Sequence, residues 1–268
     1  MMHRRSFLKA ACAGLALSYL PASRAAVASS GTITLSAAIN KVGRLRMLSQ
    51  RVAKAWLMLE LAVLPDRGRA ILNQSIDIFE TQLVELGTLT PTDEVKRTLA
   101  QLGKEWRAYK AVLGTAPSAA GAARLFETNE KVLALAHGLT QSYEKIASTQ
   151  AGRLVNIAGR QRMLSQRMAK FYLFRQSGVN AAADQAELDK ARQEFAAAHS
   201  TLLAAPQNTG PIRTELELVG QQWMFFQNAL DTQDLADRQR AAANVATSSE
   251  RILEQMESAV SLYERLAG

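Results

Sequence analysis

The sequence predicts an all-α protein: two tandem antiparallel four-helix bundles that meet as an intramolecular pseudo-dimer. Three observations carry that expectation. The 268 residues are 48% hydrophobic but only 6% aromatic, and they are rich in Ala, Leu, Gln, Glu and Arg, a mix that favours helices over strands. The chain also repeats itself: "GRLRMLSQRVAK" from Gly43 to Lys54 returns as "GRQRMLSQRMAK" from Gly159 to Lys170. Finally, glycine- and proline-bearing breaks cut each copy into four apolar-periodic stretches.

The first 28 residues are read as a signal peptide rather than as fold. Arg4 and Arg5 precede Phe7, Leu8 and Lys9, a short apolar run follows, and Ala26-Val27-Ala28 forms an A-x-A cleavage site. The arginine pair resembles a twin-arginine export signal, so the mature protein is expected in the periplasm. Cys12, the only cysteine, falls in this segment, which leaves the mature chain without disulfide or thiol chemistry. Of the formal charge of +8, Arg4, Arg5, Lys9 and Arg24 are removed with the signal and leave a mild +4. An exported, mildly basic chain is not expected to bind nucleic acid. No apolar stretch reaches the roughly 18 residues of a membrane span.

The expected first bundle covers 29–148. Helix one runs over about 33–63 and ends at "LPDRG"; helix two runs over about 68–87 and ends at "GTLTPTD". Thr90 would cap helix three, with Pro91 at its first position, and this helix would run to about 113. Helix four begins near Ala122, after "GTAPSAAG". Ile76, Phe79, Leu83 and Leu86 show the three-and-four spacing of a buried helix face. The second bundle, 149–268, breaks at "SGVN", "PQNTGP" and "DTQD". Gly103 aligns with Gly220, Trp106 with Trp223 and Tyr143 with Tyr263, at offsets that drift from 117 to 120. Short loops between four helices favour an up-down-up-down bundle. Two joins are compatible with the sequence. Helix four could continue into the next helix and stack the bundles end to end. Alternatively, "STQAGR" could reverse the chain and set the two repeat-block helices side by side, the arrangement we take as the working one.

The repeated block is where chemistry is expected. Asn40–Lys54 and Asn156–Lys170 are identical at 11 of 15 positions, whereas similarity elsewhere is weak. At 100° per residue, Ile39, Val42, Gly43, Arg46, Ser49, Gln50 and Ala53 share one face, and Asn40, Arg44, Met47, Leu48 and Arg51 fall on other sides. Copy two repeats that face with Gly159, Arg162, Ser165, Gln166 and Ala169. Glycine inside a helix costs up to about 1 kcal/mol relative to alanine and is tolerated where another backbone comes close. Two arginines meeting there about 7 Å apart would repel by roughly 2–3 kcal/mol at an effective dielectric near 20. A planar oxyanion between two guanidinium forks would remove that repulsion. The other reading is that Arg46 and Arg162 bridge to glutamates on neighbouring helices. Arg44, Arg51, Arg160 and Arg167 read as salt-bridged or solvated, and Met47, Leu48, Met163, Leu164, Trp106 and Trp223 as core. His137 and His199 have no counterparts in the other copy, and no catalytic motif, cofactor box or metal-ligand spacing is visible.

With these residues in view, "INKVGRLRMLSQR" and "VNIAGRQRMLSQRMAK" resemble the P-box of the PilJ-type sensor domain. That domain is the N-terminal module of type IV pili methyl-accepting chemotaxis transducers, and it is similar to the periplasmic sensors of nitrate/nitrite-responsive kinases. The resemblance implies a dimeric four-helix bundle with nitrate or nitrite bound between two P-box helices; separately, no enzymatic activity is expected, because the sequence shows no nucleophile, base or metal set. The resemblance also implies a ligand-binding set of Arg46, Arg162, Gly43 and Gly159, to which Ser49, Ser165, Gln50 and Gln166 could add donors. The family's lysine after the Asn is kept as Lys41 but is Ile157 in copy two. Family members are usually membrane receptors. A chain with no span after cleavage is therefore expected to report to a membrane receptor, sensor kinase or transporter, and to act as a monomeric pseudo-dimer.

Overall fold

Eight helices follow one another in the computed structural model, which describes residues 33–179, 181–232 and 237–267. They are α1 (Leu35–Glu60), α2 (Pro65–Leu86), α3 (Asp93–Leu113), α4 (Ala119–Ala147), α5 (Gln150–Ser177), α6 (Ala181–Leu203), α7 (Gly210–Asp231) and α8 (Arg238–Ala267). The described residues contain no strand, and none of their helices is long and apolar enough to cross a membrane. The expected signal peptide and its cleavage site lie outside the described residues.

Side-chain caps set several of the starts. Thr34, Thr92, Ser118 and Thr149 each accept the backbone N–H three residues on, which satisfies one of the four donors a helix start leaves open. Two expected starts are thereby corrected. The cap of α3 is Thr92 rather than Thr90, because Thr92 takes the Val95 N–H at 3.2 Å and is followed by Asp93 and Glu94, which favour the positive end of the helix dipole. Helix α2 starts at Pro65 rather than near 68. Ala62 and Leu64 adopt left-handed backbone (φ 55° and 46°), turning the chain so that Pro65 can open the helix. At the join between the copies, Ser148 is also left-handed (φ 48°) and Thr149 caps α5, so the chain reverses there and does not continue as one helix.

In the first copy, α1 packs on α2 and α4, and α3 on α4. The second copy repeats this with α5 on α6 and α8, and α7 on α8. Phe79 stacks on Trp106 at 3.7 Å between ring centroids, and Phe195 on Trp223 at 4.3 Å, so both tryptophans are core as expected. The two bundles then share α1 against α5. Ile39 lies by Gly152, Gly43 by Gly159 and Gln50 by Arg167, so the two helices run parallel, side by side. One continuous core and one compact unit, Thr32–Gly268, result.

Candidate functional site

Helices α1 and α5 are buried on nearly every side, 19 of 26 residues in α1 and 18 of 28 in α5. Each touches at least two helices of its own bundle, the other central helix, and a further helix of the other bundle. Charges on such a helix must find partners inside the protein.

At the crossing, Gly43 and Gly159 face one another. A methyl group on Gly159 would lie 3.3 Å from Arg162 Nη2, 3.6 Å from Arg46 Nη2 and 4.0 Å from the Gly43 Cα. On Gly43 it would lie 3.4 Å from Arg46 Nη2 and 3.6 Å from Arg162 Nη2. The glycines thus make room for two guanidinium groups in one place. Both arginines are fully buried. Each reaches across to the asparagine of the other copy: Arg46 Nη2 donates to Asn156 Oδ1 and Arg162 Nη2 to Asn40 Oδ1, both at 2.7 Å. The asparagines pass the interaction on, with Asn156 donating to Glu144 and Asn40 to Glu264. The Nε of each arginine is buried and has no partner.

The two halves then diverge. Arg162 Nη1 donates to Glu257 Oε2 at 2.7 Å, and Arg44 Nη2 joins the same carboxylate at 2.6 Å. The residue equivalent to Glu257 in copy one, by the offset of 120 that aligns α8 with α4, is His137. Arg46 Nη1 therefore meets His137 Nδ1, at 3.4 Å. The glutamate-bridge reading of the arginines holds for Arg162, and at Arg46 the bridging residue is a histidine. Burial first, and then the charges of Arg160 and Arg162, hold Arg46 down to about 9 against the pull of Glu144. It is still protonated at neutral pH, a buried cation short of counter-charge. Burial and then Arg46 and Arg160 push His137 down to about 4, so it is neutral. Arg162 is also lowered by burial, with Glu257 countering. For Glu257 burial works upward, but Arg162 and Arg44 outweigh it and keep the carboxyl below its ordinary range.

Further along α1 and α5 lie two ionic clusters that cross between the copies. Lys54 Nζ donates to Glu250 Oε1 at 2.5 Å and to Ser249 Oγ, and Arg51 binds the same glutamate. Lys170 Nζ donates to Glu130 Oε1 at 2.7 Å and Asn129 Oδ1, with Arg167 on the same glutamate and the Phe171 ring 4.1 Å from Nζ. Burial works upward on both glutamates, but the facing cations outweigh it and hold each at about 2. A carboxyl lowered from 4.5 contributes stability that is complete above pH 4.5 and is lost as pH falls toward 2. The melting temperature of the protein is therefore expected to fall steeply between pH 4.5 and 2. Glu130→Gln should melt lower at pH 7 and show a flatter profile over that interval. A parent curve that stays level down to pH 2 would contradict this.

Of the residues expected to bind ligand, the structure brings together Arg46, Arg162, Gly43 and Gly159. It does not bring Ser49, Gln50, Ser165 and Gln166 to them as donors. Ser49 and Ser165 donate back to the carbonyls of Arg46 and Arg162. Gln50 donates to Ser49 and Asn129, and Gln166 to Ser165 and Ser249. Their hydrogens are used within the α1–α4 and α5–α8 bundles, which narrows the candidate site to the arginines, the glycines and Asn40 and Asn156. The helical wheel sets Asn40 off the arginine face, although Asn40 and its equivalent Asn156 both belong to the repeated block. Lys41, present in copy one only, bonds Glu85 at 2.7 Å. Arg44, Arg51, Arg160 and Arg167 are ion-paired, to Glu257, Glu250, Glu194 and Glu130 respectively, and Met47, Leu48, Met163 and Leu164 are core.

The family model PilJ, described as "Type IV pili methyl-accepting chemotaxis transducer N-term", matches the chain twice, over 33–128 and 147–259. No curated protein and no solved structure matches the chain.

Proposed function

The chain belongs to the PilJ family, a family of sensor modules, and from that premise we propose that it binds a small planar oxyanion, nitrate or nitrite, between α1 and α5. Arg46 and Arg162 clamp the anion, Gly43 and Gly159 leave it room, and Asn40 and Asn156 hold the guanidinium groups in place. One observation carries the reading. Two fully buried guanidinium groups from different copies converge on one pair of glycines, and one of them has no carboxylate on its end nitrogens. The anion neutralises the pair, draws α1 and α5 together and favours one packing of the two bundles. The protein acts in the periplasm after twin-arginine export, and a membrane receptor, sensor kinase or transporter reads the change.

The test is thermal melting with nitrate, nitrite, chloride or sulfate added to an anion-poor buffer. Nitrate or nitrite at a hundred times Kd should stabilise by about 2.7 kcal/mol. Gly159→Ala should remain folded, because alanine's helix preference works against the crowding of a methyl group 3.3 Å from Arg162 Nη2, yet lose the response because that methyl group occupies the anion's place. A Gly159→Ala protein that responds fully would refute the placement.

A second reading is favoured by Glu257. Because the protein itself neutralises Arg162, the arginines are structural and the module binds only its partner. Absence of any anion-specific rise in melting temperature would support it.

A further inference from the structure

Glu257 exposes a difference between two halves that otherwise share their geometry. In one half its carboxylate sits between Arg162 and Arg44, taking Nη1 of the first at 2.7 Å and Nε and Nη2 of the second at 3.1 and 2.6 Å. The equivalent positions in the other half are His137, Arg46 and Arg160. There the carboxylate is replaced by an imidazole, and Arg160 turns to Glu194 at 2.5 Å. A cleft of about 200 Å³ opens at this place, between α4, α5 and α6, with the buried Arg46 of α1 in its wall.

The walls of the cleft say what would fill it. Arg46, His137 and Arg160 lie along it, with Leu133, Met163 and Leu164 among its apolar lining. Its three glutamates are already engaged: Glu130 with Arg167 and Lys170, Glu187 with Arg167, and Glu194 with Arg160. Arg46 has no such partner on the cleft side, and its Nε is buried without a hydrogen bond. The unmet charge is therefore positive. An apolar cavity of about 150 Å³ admits benzene, so this cleft has room for more than a four-atom ion.

We infer that the cleft binds a small organic monocarboxylic acid, its carboxylate between Arg46 and Arg160 beside His137, where Glu257 sits in the other half, and its apolar body along Leu133, Met163 and Leu164. The protein thus carries one half closed by its own glutamate and one half open to a ligand. This goes beyond the oxyanion reading and stands without it. The oxyanion lies on the Nη2 side of Arg46 toward Arg162, and the acid lies on the Nη1 side toward Arg160.

Benzoate is the probe, titrated calorimetrically into the full-length protein and three variants. The parent is expected to bind it saturably. His137→Glu supplies the carboxylate from within and should weaken benzoate at least tenfold. It copies an arrangement the other half already holds, so its melting temperature should match or exceed the parent's. Arg160→Gln should weaken benzoate at least tenfold whether or not the glutamate variant folds. Arg162→Gln should lose the nitrate response and bind benzoate as the parent does, which separates failure of one site from failure of the other. Benzoate that gives no heat with the parent, or that binds Arg160→Gln as tightly as the parent, overturns the inference.

Discussion

Replacing Glu250 by alanine is expected to destabilise the folded chain by about 3–5 kcal/mol, the usual consequence of stripping one partner from a buried ion pair. Glu250 is 5% exposed and Lys54 not at all. The glutamate sits on α8 and the lysine on α1, so the pair joins the second copy to the first. Without the carboxylate, Lys54 keeps only the Ser249 hydroxyl, while Arg51, less deeply buried, retains Ser75. For a chain of this size each kcal/mol is about 2–4 °C of melting temperature, so the expected fall is of order ten degrees. Chemical denaturation followed by circular dichroism gives the free energy directly. The double change Lys54→Met with Glu250→Leu should recover most of the loss, because an apolar pair of similar volume replaces a charge pair whose desolvation was expensive. Glu250→Ala unfolding at the parent's denaturant midpoint would mean that the cross-copy cluster does not hold the bundles together.

Arg46→Met and Arg162→Met are expected to behave alike toward nitrate and differently without it. Each removes a charged donor set worth about 1.5–3 kcal/mol in binding, so each should weaken the anion by tenfold or more. In the absence of anion, Arg46→Met removes a buried cation that lacks a carboxylate on its end nitrogens. The relief should offset the unpaired Asn156 oxygen, leaving stability within about 1 kcal/mol of the parent. Arg162→Met breaks an ion pair with Glu257 and should be clearly less stable, although Arg44 keeps the carboxylate partly neutralised. Equal stabilities for the two variants would remove the asymmetry on which the site rests.

Much of this architecture is legible in the sequence, because the breaks and caps are local chemistry. The repeated block, its glycines and its central arginines point to the α1–α5 contact before any coordinates do. The helical wheel misplaces Asn40, for a physical reason. A wheel finds one apolar face, and α1 has none to find: it is enclosed by α2, α4, α5 and α8, so residues on several sides are buried. Lys54 and Lys170 end the repeated block, and nothing nearby in the sequence shows what they meet. Their partners, Glu250 and Glu130, stand 196 and 40 residues away, and only the fold brings them near. The missing carboxylate at His137 becomes visible only when α4 is aligned with α8 and Glu257 is seen between two arginines.

The most direct measurement is calorimetric titration of the protein with nitrate in an anion-poor buffer, with Arg46→Met alongside. If the two copies form one clamp, the parent binds one nitrate per chain and the variant binds at least tenfold more weakly. Two nitrates per chain, or equal binding by parent and variant, would contradict a single site shared by Arg46 and Arg162.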